Sequence, residues 1–154
     1  MATPMNVGNT LSALTSHAKK LGIFNSVEDE ELESAPTGNL ALVIFPASGQ
    51  TVPKRSGLDM TSMSTIFTAR MYANKSLSIV SGISRKMVDA LDKYLAGLHT
   101  DLELGRTDTH IDLFGIDTNK LSWTTGFTPL QDGLYRTIEI TIPILFDDVY
   151  TQEL

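Results

Sequence analysis

Residues 77–148 decide the fold of this chain: LSIVSGISRKMVDALDKYLAGLHTDLELGRTDTHIDLFGIDTNKLSWTTGFTPLQDGLYRTIEITIPILFDD. Apolar residues near its start recur every three or four positions, which predicts a helix of about four turns. The later part alternates between apolar and polar residues and contains Asp132-Gly133, a strong hairpin signal. The stretch therefore predicts one helix followed by strands that close on a hairpin.

The helix and the last strand of this stretch have the clearest patterns. Ser84 is the predicted N-cap of the helix, and Ile138 to Phe146 alternate as the last strand. Pro143 has no amide proton, which places this strand at an edge or at a bulge. The helix stripe consists of Met87, Val88, Leu91, Leu95 and Leu98.

The residues before this stretch predict one more helix and two more strands. An amphipathic stripe over 7–21 predicts the helix, and the apolar run 40–45 predicts a strand that Pro46 ends. Alternation over 63–73 predicts a long strand antiparallel to 40–45. The fold class is therefore α+β: one domain over 1–154, with a mainly antiparallel sheet of four or more strands and two helices on one face.

Composition excludes several classes of protein. The chain has 18 acidic and 12 basic residues, a formal charge of −6, which argues against a protein whose task is to grip nucleic acid. It has no cysteine, which excludes disulfides and thiolate metal sites. Its longest apolar run is far shorter than the ~20 residues of a membrane span, and no signal peptide is visible. We expect a soluble chain that is cytosolic at synthesis.

The sequence contains no set of residues typical of an enzyme, a metal site or a cofactor site. It has no phosphate-binding loop, dinucleotide fingerprint or nucleophile elbow. Two His-x-Asp pairs, His99 with Asp101 and His110 with Asp112, offer too few ligands for a metal. His17 is predicted on the polar surface of the first helix. The aromatic residues Trp123 and Tyr135 predict cross-strand or core packing, or alternatively a shared aromatic shelf.

Three groups of residues are candidates for contacts with other proteins. Arg70 and Tyr72 share the less apolar face of the long strand, which must meet water, a helix or another subunit. A loop predicted over Ser48–Gly57 carries a basic pair and should be mobile until a partner orders it. The acidic run is either a solvated loop or a contact for a basic neighbour. The basic pair is Lys54 and Arg55, and the acidic candidates are Glu28, Asp29, Glu30 and Glu31.

The order of elements, and several segments between Thr65 and Tyr150, resemble the tail terminator proteins of long-tailed, siphovirus-type phages. Ile66–Asn74 resembles the family's strand with an Arg-x-Tyr pattern, here Arg70-Met71-Tyr72. Leu98–Gly105 resembles a segment that follows the family's second helix. Ile111–Gly115, Asp132–Arg136 and Ile142–Ile144 are similar to members from actinobacteriophages. They are packing and turn patterns, and none is a catalytic signature.

The resemblance implies a structural virion protein and not an enzyme. Members of the family form a ring, usually a hexamer, that caps the head-proximal end of the tail tube. The ring stops tube polymerisation and joins the tail to the head connector, and DNA passes through its lumen without specific binding. The implied partners are other copies of the chain, the tail tube protein and the head connector or stopper protein. Assembly would take place in the host cytoplasm.

Two alternatives stay open at the level of sequence. The chain could be another head–tail joining or neck protein of similar size. A different class is a small α+β domain that binds a ligand or metal in a pocket near His99, His110 and Asp112. If the chain is a tail terminator, Lys54 and Arg55 would contact acidic groups of a neighbouring subunit. Replacing both with Glu should then impair assembly through like-charge repulsion.

Overall fold

The protein contains two helices and six strands in a computed structural model that describes residues 6–32, 40–52, 60–73, 85–104, 109–113, 115, 120–131 and 133–151. Ser84, the predicted N-cap, lies outside these residues. In chain order the elements are α1 (Val7–Leu21), β1 (Ser26–Glu28), β2 (Leu40–Thr51), β3 (Met60–Ala73), α2 (Arg85–Thr100), β4 (Thr109–Ile111), β5 (Ser122–Leu130) and β6 (Gly133–Thr151). No helix in the described part of the chain is long and apolar enough to span a membrane.

The strands form one mixed sheet in the order β1-β2-β3-β6-β4. The long strand β6 pairs with β3, and its other edge pairs first with β5 and then with β4. The predicted α+β class with at least four strands and two helices is confirmed. The expectation of a mainly antiparallel sheet needs correction, because β1 runs parallel to β2. Three residues are too few for a periodic pattern, so β1 was not predicted from the sequence.

The strand β2 is longer than predicted. It continues past Pro46 to Thr51, and its register against β3 shifts between Pro46 and Ser48. The shift is a bulge, which accommodates a residue that cannot donate a backbone hydrogen bond. The predicted loop over Ser48–Gly57 is therefore wrong for its first four residues. Pairing with the long strand β3 supplies the hydrogen bonds that hold them in the sheet.

Pro143 lies inside β6 and not at a bulge. Its carbonyl accepts a hydrogen bond from the backbone N–H of Asp112 at 2.8 Å, just beyond the end of β4. The nitrogen of a strand residue points to the same side as its carbonyl. The nitrogen of Pro143 therefore faces the gap between the end of β4 and the start of β5. No strand in the described part of the chain pairs with Pro143 on this side, which is why a proline is tolerated there.

The main core is a single cluster of buried side chains. It includes Leu14 and Ala18 of α1 and Met87, Leu91 and Leu98 of α2, which the helix stripes predicted. From the sheet it takes Val27 of β1 and alternate residues of three longer strands. These are Leu40, Leu42 and Ile44 of β2, Phe67, Ala69, Met71 and Ala73 of β3, and Ile138, Ile140, Ile142, Ile144 and Phe146 of β6. Val88, predicted to belong to the same stripe, is 39% exposed.

A second, smaller cluster lies on the opposite face of the sheet. It consists of Ala41, Val43, Tyr72 and Tyr135, with Leu32, Phe45 and Leu130 partly buried against it. These residues have the opposite parity to the main cluster along β2, β3 and β6, as expected for side chains that alternate across a sheet. Both faces of the central strands are therefore covered.

His17 is buried, although the sequence placed it on the surface of α1. Its exposed fraction is 8%, and its ring lies against Gly97 of α2, where an added Cβ would stand 3.0 Å from Cε1. The helical stripe shows only which residues of α1 share a face. A second helix with a glycine at the contact brings its backbone close enough to cover the next residue as well.

Replacing Gly97 with Ala should destabilise the protein, whereas Gly8→Ala should stabilise it. Both glycines are helical, and Ala is favoured over Gly in a helix by about 1 kcal/mol. At Gly8 nothing lies within 4 Å of the new Cβ, so the gain is realised. At Gly97 the Cβ would also crowd Leu21 Cδ1 at 3.2 Å, and overpacking costs about 1–3 kcal/mol. Urea denaturation of both variants measures whether each change raises or lowers the free energy of unfolding. Equal stabilisation by the two changes would contradict the close helix contact.

Candidate functional site

Arg70 is the centre of a polar group on the second face of the sheet. Its position on β3 is directly between Val43 of β2 and Glu139 of β6. Arg70 Nη1 lies 3.3 Å from Glu31 Oε1 and donates to the Tyr72 hydroxyl at 3.3 Å. Arg70 Nη2 lies 3.6 Å from Glu139 Oε1. The sequence grouped Arg70 with Tyr72, and the fold adds the two glutamates.

The surroundings of Arg70 favour the charged form of its guanidinium. Burial acts to lower the pKa of Arg70, but the hydrogen bond to Tyr72 and the charges of Tyr72, Glu139 and Glu31 outweigh it, so the net shift is upward. The guanidinium also stacks over the ring of Phe45 at 5.4 Å from its centroid, a cation–π contact. Only 16% of the Arg70 side chain is exposed.

The predicted interface role of Arg70 and Tyr72 stays a prediction. Within one chain both side chains already have partners, and Tyr72 is fully buried in the second cluster. A direct contact with another subunit is available to the exposed parts of Glu31 and Glu139, whose side chains are 62% and 41% exposed. Arg70 is mostly buried and holds these two exposed glutamates in place through its ion pairs.

The acidic run divides into two parts. Glu28 ends β1, and Glu28, Asp29 and Glu30 are exposed. Glu31 turns onto the second face of the sheet, where it pairs with Arg70 and the following Leu32 packs on the second cluster. Three acidic side chains therefore stand together at the β1 edge of the sheet. The basic pair Lys54 and Arg55 lies outside the described residues.

The alternative pocket near the histidines has a partial basis in the structure. His99 and His110 line one cavity of about 470 Å³, and the rest of its lining is apolar apart from Glu103 and Thr109. Asp112, however, is buried, and its Oδ1 accepts the backbone N–H of Gly115 at 3.0 Å. His99 Nδ1 donates to the carbonyl of Leu95 at 2.7 Å, at the end of α2. In the described ranges, no group of three or more His, Asp or Glu residues could hold a metal.

The buried His17 should make stability depend on pH. Burial is the main cause that lowers the pKa of His17, and it outweighs the charge of Asp101, which raises it. A lowered folded-state pKa means that the unfolded chain takes up the proton first. This contribution to stability is complete above the ordinary value of 6.5 and is lost as the pH falls below it.

His17→Phe should therefore lose less stability than the wild type between pH 7 and pH 5. Phe keeps the ring against Gly97 and removes two ring nitrogens that have no hydrogen-bond partner among the described residues. Asp101 and Lys20 line the cavity next to His17 and are unchanged in both proteins, which makes the difference specific to the imidazole. Urea denaturation across the pH range gives the comparison, and parallel curves for the two proteins would refute it.

The hairpin of β5 and β6 carries a surface that the sequence did not reveal. Trp123 is 51% exposed and Phe127 is 59% exposed on β5, and Leu134 is 62% exposed on β6. Trp123 lies opposite Ile140, while Tyr135 lies opposite Thr128 and is buried on the other face. The predicted aromatic shelf of Trp123 and Tyr135 is wrong, and core packing is wrong for Trp123.

No protein-family model matches this chain, and no curated protein matches it at a significant level. Three surfaces of the described residues are candidates for contacts with other molecules. They are the Arg70 group, the acidic β1 edge and the exposed apolar side of the hairpin.

Proposed function

We propose that this protein is a structural phage tail protein, a tail terminator that assembles into a closed ring, expected to be a hexamer. The ring caps the head-proximal end of the tail tube, stops its polymerisation and joins the tail to the head connector. The segments that resemble this family lie between Thr65 and Tyr150, a range that spans most of β3 and β6 and all of α2, β4 and β5.

The observation that supports this proposal most is the exposed apolar side of the hairpin. Soluble monomers rarely leave large apolar side chains together in water, and such patches commonly mark protein–protein contacts. Trp123, Phe127 and Leu134 are more than half exposed on one two-stranded arm. Burial of this arm against another protein would remove these apolar side chains from water, which is a physical reason for their presence on the surface.

The proposal includes the finer arrangement of a tail-terminator-like fold, in which both helices pack on one face of the sheet. The main core supports this, since it contains residues of both helices, whereas the second cluster contains residues of neither. The opposite face, with the Arg70 group, is then available to line a ring or to meet the tube. Its exposed glutamates and the formal charge of −6 per copy suit a lumen that lets DNA pass without retaining it.

Light scattering and negative-stain electron microscopy of the purified protein test the ring. We expect a closed ring, which head-to-tail contacts form when the rotation permits. About six copies are expected because the resembling family usually forms hexamers. Gold-labelled antibody on intact virions should then mark the junction of head and tail. A monomer at every concentration, together with no label on tails, would exclude the proposed function.

Thermal melting with zinc or manganese tests the alternative class. A ligand that binds only the folded state must raise the melting temperature. The tail terminator proposal expects unchanged melting in both metals. A clear rise with either metal, abolished in His110→Ala, would favour a metal-binding domain instead.

A further inference from the structure

The two edges of the sheet are unequal. β5 forms one edge with nine residues, Ser122–Leu130, and among the described residues it pairs only with β6. None of the nine carries a charge, and two of them are exposed aromatics. Natural proteins usually protect an edge strand with lysines, bulges or short length, because its free N–H and C=O groups invite pairing. In β5 only Pro129, near one end, provides such protection.

The opposite edge is protected at Ala41–Val43, the part of β2 that β1 covers. β1 has only three residues, and exposed acidic side chains follow its end at Glu28, Asp29 and Glu30. A short strand bordered by charge resists pairing with identical copies of itself, because like charges would meet. This edge is therefore suited to a partner with positive charge.

The hairpin provides that positive charge. Lys120 is exposed immediately before β5. Arg136 of β6 lies over the ring of Phe127, 4.9 Å from the centroid, and its Nε is buried with no hydrogen-bond partner in the described part of the chain. No described acidic residue pairs with either of them. Arginine and aromatic residues are both enriched in protein–protein interfaces.

We propose that the β5–β6 hairpin of one copy docks against the β1 edge of a second copy of this chain. Trp123, Phe127 and Leu134 become buried, and Lys120 and Arg136 face Glu28, Asp29 and Glu30 of the neighbour. Opposite charges at opposite edges of one sheet favour a head-to-tail contact, which closes into a ring when the rotation permits. The inference rests on the proposed function, since it names the contact that such a ring uses.

Two defective variants and their mixture test this contact. Trp123→Ser/Phe127→Ser lacks the hairpin surface, and Glu28→Lys/Asp29→Lys/Glu30→Lys lacks the acidic edge. We expect each variant alone to be monomeric in light scattering. An equimolar mixture should give a heterodimer and nothing larger, since only one intact pair of surfaces remains. Val88→Ser removes an exposed apolar side chain from α2 and should keep the wild-type mass.

Covalent cross-linking extends the test to a weak contact. Because the natural chain has no cysteine, Thr124→Cys on β5 and Asp29→Cys beside β1 introduce single reactive sites. A short bis-maleimide should link the double variant into a ladder of several chains at high concentration. Each single variant should give no product larger than a dimer. Circular dichroism confirms that the variants fold, as expected for changes at exposed positions.

The outcomes separate this inference from the proposed function. A hairpin variant that keeps the wild-type mass would overturn the docking contact and leave the ring intact. An acidic-edge variant with wild-type mass beside a monomeric hairpin variant would mean symmetric pairing of hairpins, which also overturns it. A wild type that is monomeric and absent from tails, together with no ladder from the double-cysteine variant, would remove both the contact and the proposed function.

Discussion

Phe67→Ala should lower the free energy of unfolding by about 3–5 kcal/mol, the usual range when a buried aromatic residue is truncated. Phe67 is fully buried at the centre of β3, between Pro46 of β2 and Ile142 of β6. The neighbouring strands are hydrogen-bonded on both sides, so they cannot collapse into the cavity. Many domains have only about 5–15 kcal/mol of stability in total, so the variant should melt at a much lower temperature.

Phe127→Ala is the matched control, with the same residue type at an exposed site. The ring of Phe127 is 59% exposed on the hairpin, so its removal opens no cavity. We expect a change below about 1 kcal/mol, mainly from the contact with Arg136. Thermal and urea denaturation of the two variants provide the comparison. A similar loss in both would mean that the main core does not extend through β3.

Arg70→Met should destabilise the protein by about 1–2 kcal/mol, as expected when a mostly buried charge with two hydrogen bonds is removed. Methionine keeps a long side chain against Phe45, so the loss reports on the guanidinium. Glu31 and Glu139 would lose their shared cation, and Tyr72 would lose a hydrogen bond. Exposed parts of these pairs are screened by salt, so the effect should shrink in 1 M sodium chloride, where the screening length is about 3 Å.

Arg85→Met removes an ion pair with the same 3.3 Å N–O distance as the pair of Arg70 and Glu31, but in a more exposed environment. Arg85 Nε lies 3.3 Å from Asp89 Oδ1 on α2, and the two side chains are 89% and 54% exposed. Such a helical pair contributes no more than about 0.5 kcal/mol. Urea denaturation should therefore separate the two arginines clearly. Equal effects would show that Arg70 has no role beyond an ordinary surface ion pair.

The sequence alone determined the elements whose own residues carry a strong period. The helical spacing predicted α1 and α2, and alternation with Asp132-Gly133 predicted the hairpin and the long last strand. It also placed Arg70 and Tyr72 on the face opposite the main core. These are local properties, because neighbouring residues determine which side chains share a face.

The tertiary structure alone decided which faces are covered and by what. Alternation placed Trp123 on one face of β5, but its 51% exposure depends on whether another element reaches the hairpin. His17 is buried because Gly97 lets α2 approach, and Arg70 meets Glu31 because the chain after β1 crosses onto the second face. The parallel pairing of β1 is likewise a long-range contact. Burial and pairing are properties of two segments together, and a periodic pattern describes only one.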